Sequence, residues 1–295
     1  MTSSVQLGAY TLPNRIVIAT NPRSQAGNRL IQPEAVTYYS RRASCGLVIT
    51  EPTLVTPSNT PSNYPGIYTL QQLSSWKSVT EAVKKQNGKI FLQLWYRLES
   101  EKRSDSDRVK IIKLFRRAAQ NALVAEFDGI EISLNTDNYS DRNNHKSECQ
   151  ERSQNYMNLF SSVIEEVASI WGKNKIGIKL TAEGGQPQAP PLQGGERLTS
   201  KSEFLKIRQF NSIRDFYDFL DYLNFYQIAY LHLTDSVTKN FCQTKIAANW
   251  LNLLHSIYSG KVIIGYQDSY QGTKDTIIGY SADLIAFNNL SQLSI

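Results

Sequence analysis

Eight short apolar runs of strand length alternate along the chain with segments of helical period, and this alternation constrains the fold more than any other feature. The runs are Arg15–Ala19, Leu47–Thr50, Lys89–Leu94, Gly129–Ile132, Lys175–Leu180, Tyr230–Leu233, Val262–Ile264 and Leu284–Phe287. Between them lie Pro33–Ala43, Leu70–Gln86, Asp107–Ala125, Glu151–Trp171, Ser212–Asn224, Thr244–Tyr258 and Ser269–Ile278. In Asp107–Ala125, residues Val109, Ile112, Leu114, Phe115, Ala118, Ala119 and Ala122 mark one broad apolar face. Eight strands alternating with helices in 295 residues predict an α/β protein, a single (β/α)8 TIM barrel spanning residues 1–295. Only Asn288–Ile295 follows the last run, too short for a full closing helix. The groove left there predicts self-association, with a homodimer as the candidate form.

The totals narrow the function classes. Hydrophobic residues are 41% and aromatics 11%, enough for a packed core. The net charge of +6 comes without a basic cluster interleaved with aromatics, so nucleic-acid binding is not indicated. Cys45, Cys149 and Cys242 are far apart, which gives neither a metal-ligand spacing nor a disulfide framework. A reducing cytoplasm fits. The first residues, MTSSVQLGAYTLPNR, carry no signal-peptide pattern, and no run reaches membrane-spanning length.

Lys89–Glu99, KIFLQLWYRLE, suits a strand buried on both faces, with Gln93 as the one polar side chain in its apolar part. A buried amide needs partners, which a neighbouring strand or a flat heteroaromatic ligand can supply. Glu183–Thr199 is rich in Pro, Gly and Gln and follows the fifth run, so it is either a lid over the barrel mouth or a solvated excursion. His232 sits inside an apolar run and reads as a satisfied core or rim histidine, His145 as solvated and His255 as packing. Asp137, Glu183 and Asp235 fall at strand ends, where barrel enzymes place catalytic groups. Carboxylates there, near Lys179 and Tyr96, suit proton transfer without a cofactor. Tyr96, Tyr139 and Tyr266 suggest an aromatic-lined pocket for a flat or apolar substrate.

Several of these stretches, in this order, resemble the old yellow enzyme family. Phe91–Tyr96, FLQLWY, is similar to its third-strand pattern F-L-Q-L-W-H. LPNRIVIATNPRSQA (Leu12–Ala26), YYSRRASCGLVITEPTLVTP (Tyr38–Pro57), PGIYT (Pro65–Thr69), FDGIEI (Phe127–Ile132), IGIKL (Ile176–Leu180), IAYLHL (Ile228–Leu233) and ADLIAF (Ala282–Phe287) extend the likeness over nearly the whole chain. The resemblance implies a (β/α)8 barrel that reduces the C=C bond of an enone, using FMN that NAD(P)H reduces. It places Gln93 at the flavin pyrimidine edge, Lys179 where the family has an arginine beside flavin N1 and O2, and Arg23 as a further candidate flavin ligand.

Other positions depart from the family pattern. Pro22 replaces a threonine that tunes the flavin, and Pro52 replaces a small residue. Ser133 and Thr136 stand where His and Asn would hold a substrate oxygen, Asn138 stands where the proton-donating tyrosine would be, and Tyr139 follows one residue later. Asn288 and Asn289 replace the glycine and arginine of a phosphate clamp, and Arg97–Ser106 is short for the family's loop after strand three. These departures predict weak or absent FMN binding, and the lack of any zinc or EF-hand spacing predicts no metal. The leading expectation is therefore a cofactor-independent isomerisation or cyclisation of an unsaturated carbonyl-type small molecule. Its catalytic candidates are Tyr96, Lys179, Asn138 and Asp137, and its substrate-binding candidates Ser133, Thr136, Tyr139, Trp95 and Tyr266. The alternatives are an FMN-dependent ene-reductase, and a barrel that binds a ligand without catalysis.

Overall fold

The computed structural model describes residues 3–20, 29–57, 64–98, 105–136, 146–183, 206–207, 213–235, 252–266 and 282–288. Its strands in chain order are β1 (Val5–Leu7), β2 (Tyr10–Leu12), β3 (Ile16–Ala19), β4 (Leu47–Ile49), β5 (Thr53–Leu54) and β6 (Ile90–Leu98). They continue with β7 (Gly129–Thr136), β8 (Ile176–Glu183), β9 (Lys206–Ile207), β10 (Tyr230–Asp235), β11 (Lys261–Tyr266) and β12 (Leu284–Phe287). The helices are α1 (Glu34–Ser40), α2 (Leu70–Lys84), α3 (Asp105–Val124), α4 (Lys146–Trp171) and α5 (Ile213–Tyr226), with residues 252–257 also helical.

Strands β3, β4, β6, β7, β8, β10, β11 and β12 pair in parallel around a closed ring, with β12 returning to β3. This is the expected (β/α)8 barrel. All eight apolar runs became its strands. Parallel strands covered by helices are buried on both faces, which is why they read as continuous apolar runs. The third run extends past its apolar part, to Leu98, because Tyr96–Leu98 stay in register with Leu134–Thr136 of β7. Residues 99–104, 184–205 and 289–295, and the helix expected over Ser269–Ile278, lie outside the described residues.

The helices form for local reasons. Thr69 caps α2 by accepting from the Gln72 N–H, and Gln72 Oε1 accepts from the Thr69 N–H, completing a capping box. Asp105 and Asp107 lie in the first turn of α3, where the helix dipole favours negative charge. The buried face of α3 is Ile111, Phe115, Ala118, Ala119 and Ala122. Val109, assigned to that face from the sequence, is 49% exposed. It falls seven residues before Arg116, outside the 111–115–118–122 stripe.

Two apolar clusters follow. The larger lies between strands and helices, with Trp76, Phe115, Phe160 and Phe219 fully enclosed. Fully burying such a side chain contributes about 1.5–3 kcal/mol. The smaller lies inside the barrel at its N-terminal end, where Val5, Leu7 and Leu12 of the β1–β2 hairpin pack with Val17, Leu47, Phe91, Tyr230 and Ile263. The hairpin thus plugs the floor. Phe91 and Tyr230, ring centroids 6.0 Å apart, fill it from either side of β7 and β8. Gly129 and Gly177 make room for them: a Cβ at Gly129 would clash with the Phe91 ring, and one at Gly177 with the Tyr230 ring. With the floor closed, the open end for chemistry is the C-terminal one.

Candidate active site

Side chains alternate in and out along each strand, so the residues two beyond the floor layer also face inward. Phe91, Gly129, Gly177 and Tyr230 are followed by Gln93, Glu131, Lys179 and His232. Four barrel strands that neighbour one another in the ring, β6, β7, β8 and β10, therefore each place one polar side chain at mid-barrel. Backbone register sets Gln93 beside Glu131, and Lys179 beside His232.

Glu131 is the centre of this layer. Its Oε1 accepts from Gln93 Nε2 at 2.8 Å, and its Oε2 lies 2.8 Å from His232 Nδ1. Glu131 and His232 are wholly buried, and Gln93 is 1% exposed. Burial pushes the Glu131 carboxyl up, but the charge and hydrogen bond of His232 and the ammonium of Lys179 outweigh it and hold the group below its usual value. An ionised carboxylate only accepts, so His232 Nδ1 must carry the proton between them. His232 Nε2 is enclosed and has no partner among the described residues. The Tyr230 hydroxyl lies close enough to feel the Glu131 charge, but it forms no hydrogen bond of normal geometry.

Lys179 is half-buried in this layer. Burial lowers its pKa, and the Glu131 charge opposes that shift. The backbone N–H of Gln93 donates to Thr50 Oγ1 at 3.0 Å, which ties β6 to β4 at this level. On β11, Gly265 lets Thr234 and His232 pack closely against the strand: a Cβ there would lie 2.7 Å from Thr234 Cγ2 and 3.3 Å from His232 Nε2.

The next inward layer begins with Trp95 and Ser133. Trp95 is 8% exposed and meets Tyr64 edge-on at 4.9 Å. Ser133 is buried, with its Oγ 3.5 Å from Asn135 Oδ1.

One expected site residue is turned away. Tyr96, expected at the barrel mouth, has the parity opposite to Gln93 and Trp95. Its ring packs outward on the helix layer, edge-on to Phe115 of α3 at 6.3 Å. Gln93, Trp95, Ser133 and Lys179 occupy inward-facing positions on β6, β7 and β8. Arg23, Asp137, Asn138, Tyr139 and Asn289 lie outside the described residues, as do the side chains of Thr136 and Tyr266. Glu131 was not singled out from the sequence, and His232 was assigned to the core without its partner. The signal was there: each is a lone polar residue in an apolar strand, as Gln93 is.

The fold and the sequence are similar to those of known proteins. Residues 3–109 match the NADH:flavin oxidoreductase / NADH oxidase family. A putative 12-oxophytodienoate reductase 13 of Oryza sativa subsp. japonica is 30% identical over 212 residues, covering 60% of this chain and 56% of that protein. The 12-oxophytodienoate reductase 2 of Arabidopsis thaliana is 25% identical over 329 residues, covering 96% and 83%. The old yellow enzyme homologue from Zymomonas mobilis has the same fold, with a TM-score of 0.72 at 20% identity over 97% of this chain and 87% of that one. The chain is thus similar to NADH:flavin oxidoreductases over its first third and to 12-oxophytodienoate reductases over most of its length. It spans a little over half the length of the first curated relatives it matches. The isomerisation or cyclisation expected from the departures in motif, and the cofactor-free site expected with it, find no support among these relatives, which carry the names of reductases. No helix among the described residues is long and apolar enough to cross a membrane.

The mid-barrel layer can be matched against the pyrimidine edge of FMN, which offers carbonyl oxygens flanking an N–H. Lys179 supplies a donor. Gln93, its NH2 committed to Glu131, supplies an acceptor in Oε1. The donor set fits the ring edge of the cofactor. Of the phosphate end, only Asn288, half-buried at the end of β12, falls among the described residues.

Proposed function

We propose that this chain is an FMN-dependent reductase of activated C=C bonds, in which Gln93 and Lys179 would hold the ring edge of the flavin. The observation that carries the reading is the layer Gln93, Glu131, Lys179 and His232. Glu131 is satisfied within the layer by Gln93 and His232, which leaves the Gln93 carbonyl and the Lys179 ammonium, among the described residues, to meet a ligand.

FMN, when bound, supplies hydride transfer between a reduced nicotinamide and an electron-poor alkene. The chain supplies the rest. The Lys179 ammonium donates to a ring carbonyl and offsets negative charge at that edge. The Gln93 carbonyl accepts the neighbouring ring N–H. Trp95, backed by Tyr64, walls the mouth with apolar surface and excludes water from the reacting face. Ser133 offers a short hydroxyl at the mouth for a substrate oxygen. The natural substrate is a small molecule with an alkene conjugated to a carbonyl.

The isomerisation reading drew on Tyr96 as a group that polarises the substrate carbonyl. That phenol packs against α3, so no observation favours the second reading over the first.

The test is spectroscopic first. The purified chain, incubated with FMN, should quench flavin fluorescence and shift the visible band, and should then oxidise NAD(P)H in the presence of a cyclic enone. A chain that leaves the FMN spectrum and fluorescence unchanged at millimolar protein sinks this function.

A further inference from the structure

We infer that Glu131 is a positioning residue that sets the hydrogen-bond polarity of the ring-edge site, and so makes the site selective for a ring carrying an N–H beside a carbonyl. The inference rests on the flavin reading above, and deepens it by naming what the site selects.

The chain of constraint has three links. A carboxylate has no proton to give, so both groups facing Glu131 must be donors. On one side this fixes His232 with its proton on Nδ1, 2.8 Å from Oε2. On the other it fixes the Gln93 amide with Nε2 toward Oε1, also at 2.8 Å. A planar amide whose NH2 end is held presents its carbonyl end elsewhere. Among the described residues Gln93 Oε1 accepts no hydrogen bond, so this oxygen is the one the amide offers to a ligand. Lys179, two residues beyond Gly177 and in register with His232, offers only donors. The pair thus displays an acceptor and a donor, the complement of an N–H next to a C=O.

The alternative polarity is closed to the wild-type chain. Turning the Gln93 amide over would set Oε1 against a carboxylate oxygen in a site with no water-accessible escape, since Gln93 and Glu131 are 1% and 0% exposed. A buried acceptor facing an anion loses its hydrogen bond and gains repulsion.

The substitution Glu131→Gln releases the constraint without changing shape. The new amide can accept from His232 Nδ1–H or, with the ring proton on Nε2, donate to Nδ1, so residue 131 no longer dictates which end of Gln93 faces it. Gln93 is then free to offer the ligand either end of its amide. The double change Gln93→Glu with Glu131→Gln restores the first polarity. Residue 93 is then a carboxylate, with one oxygen on the amide now at position 131 and one for the ligand.

The experiment measures dissociation constants of FMN and of its N3-methyl analogue by fluorescence quenching, on the full chain and on both variants. The wild-type chain should prefer FMN by about tenfold or more, the cost of leaving one buried acceptor unmet. Folded Glu131→Gln should bring that ratio to about one, and the double variant should return it to about tenfold. A folded Glu131→Gln chain that keeps the full preference overturns the positioning role and leaves the flavin reading intact. Failure of the double variant to regain it does the same. Wild-type protein that binds neither flavin overturns the flavin reading, and this inference with it. A second readout uses the wild-type chain alone, so that misfolding of a variant cannot hide the answer. In 15N-labelled protein the Gln93 side-chain NH2 should exchange slowly before FMN is added and stay slow afterwards. Fast exchange, or an NH2 that becomes protected only on FMN addition, means that Glu131 does not hold the amide.

Discussion

Glu131 Oε2 and His232 Nδ1 meet at 2.8 Å across strand β8, and neither side chain is exposed to solvent. The two residues come from strands that do not touch each other, β7 and β10. Gly177 of β8 lies in register with both Glu131 and Tyr230, and it contributes no side chain to block the way. The pair therefore ties three strands together at the level where the apolar floor ends. Removing one partner leaves the other buried and uncompensated. Glu131→Ala should destabilise the chain by about 3–5 kcal/mol in urea titration, whereas Glu131→Gln, which still accepts from His232, should cost far less. Equal losses in the two variants would mean that the pair does not hold the strands.

The same pair gives the stability a predictable dependence on pH. The folded Glu131 carboxyl is held below its unfolded value, against its own burial, by His232 and Lys179. A carboxyl depressed on folding contributes stability above its unfolded pKa, and that contribution is lost as pH falls through the folded value. Lys179 is shifted down by burial, so its charged form disfavours the folded state below its folded pKa. Once Glu131 is protonated, that ammonium also loses its counter-charge. The acid limb of a stability–pH curve should therefore begin below about pH 4.3, the ordinary glutamate value. Lys179→Met removes one of the groups that depress Glu131 and should move the limb to higher pH. A limb that stays where it is in Lys179→Met would separate the two groups energetically.

The floor layer should be intolerant of side-chain growth. Tyr230 occupies the space a Cβ at residue 177 would need, and Tyr230 is itself fully enclosed. Close-packed interiors respond to one extra methyl by shifting backbone or rotamers. Gly177→Ala should cost about 1–3 kcal/mol, and Gly177→Ala combined with Tyr230→Leu should recover part of it. Additive losses in the double variant would show that the ring is not what the new methyl meets.

These particulars show how far the sequence could be read. The barrel was legible because eight parallel strands buried on both faces leave eight apolar runs, and Leu47–Ile49 or Leu284–Phe287 can hardly be anything else. The hairpin of Val5–Leu7 and Tyr10–Leu12 was not, because strands of three residues give too few alternations to register. Gln93 stood out as one polar residue in an apolar strand, and Lys179 through its likeness to a family position. Glu131 carries the same signal but sits in FDGIEI, where it reads as an ordinary strand residue until register brings it to Gln93. Pairing across strands is a property of the closed sheet, and no single strand contains it.

Tyr96 shows the reverse error, and it supplies the sharpest check on the site. From its place after Trp95 it was expected to line the mouth and polarise a substrate carbonyl. Parity alone argues otherwise: if Gln93 faces in, residue 95 does too and residue 96 cannot. The observed edge-on contact with Phe115 of α3 agrees, and places the phenol ring on the helix side of the sheet. Tyr96→Phe should therefore leave reduction of an enone by NAD(P)H within about twofold of wild type, since deleting a hydroxyl outside the barrel removes no interaction made in the transition state. Trp95→Ala, one residue away on the inner face, should lower kcat/KM by about tenfold or more by opening the mouth to water and removing the apolar wall. Loss of turnover in Tyr96→Phe with turnover kept in Trp95→Ala would mean that β6 runs with the opposite face inward at its end, and the assignment of Trp95 to the pocket would fall with it.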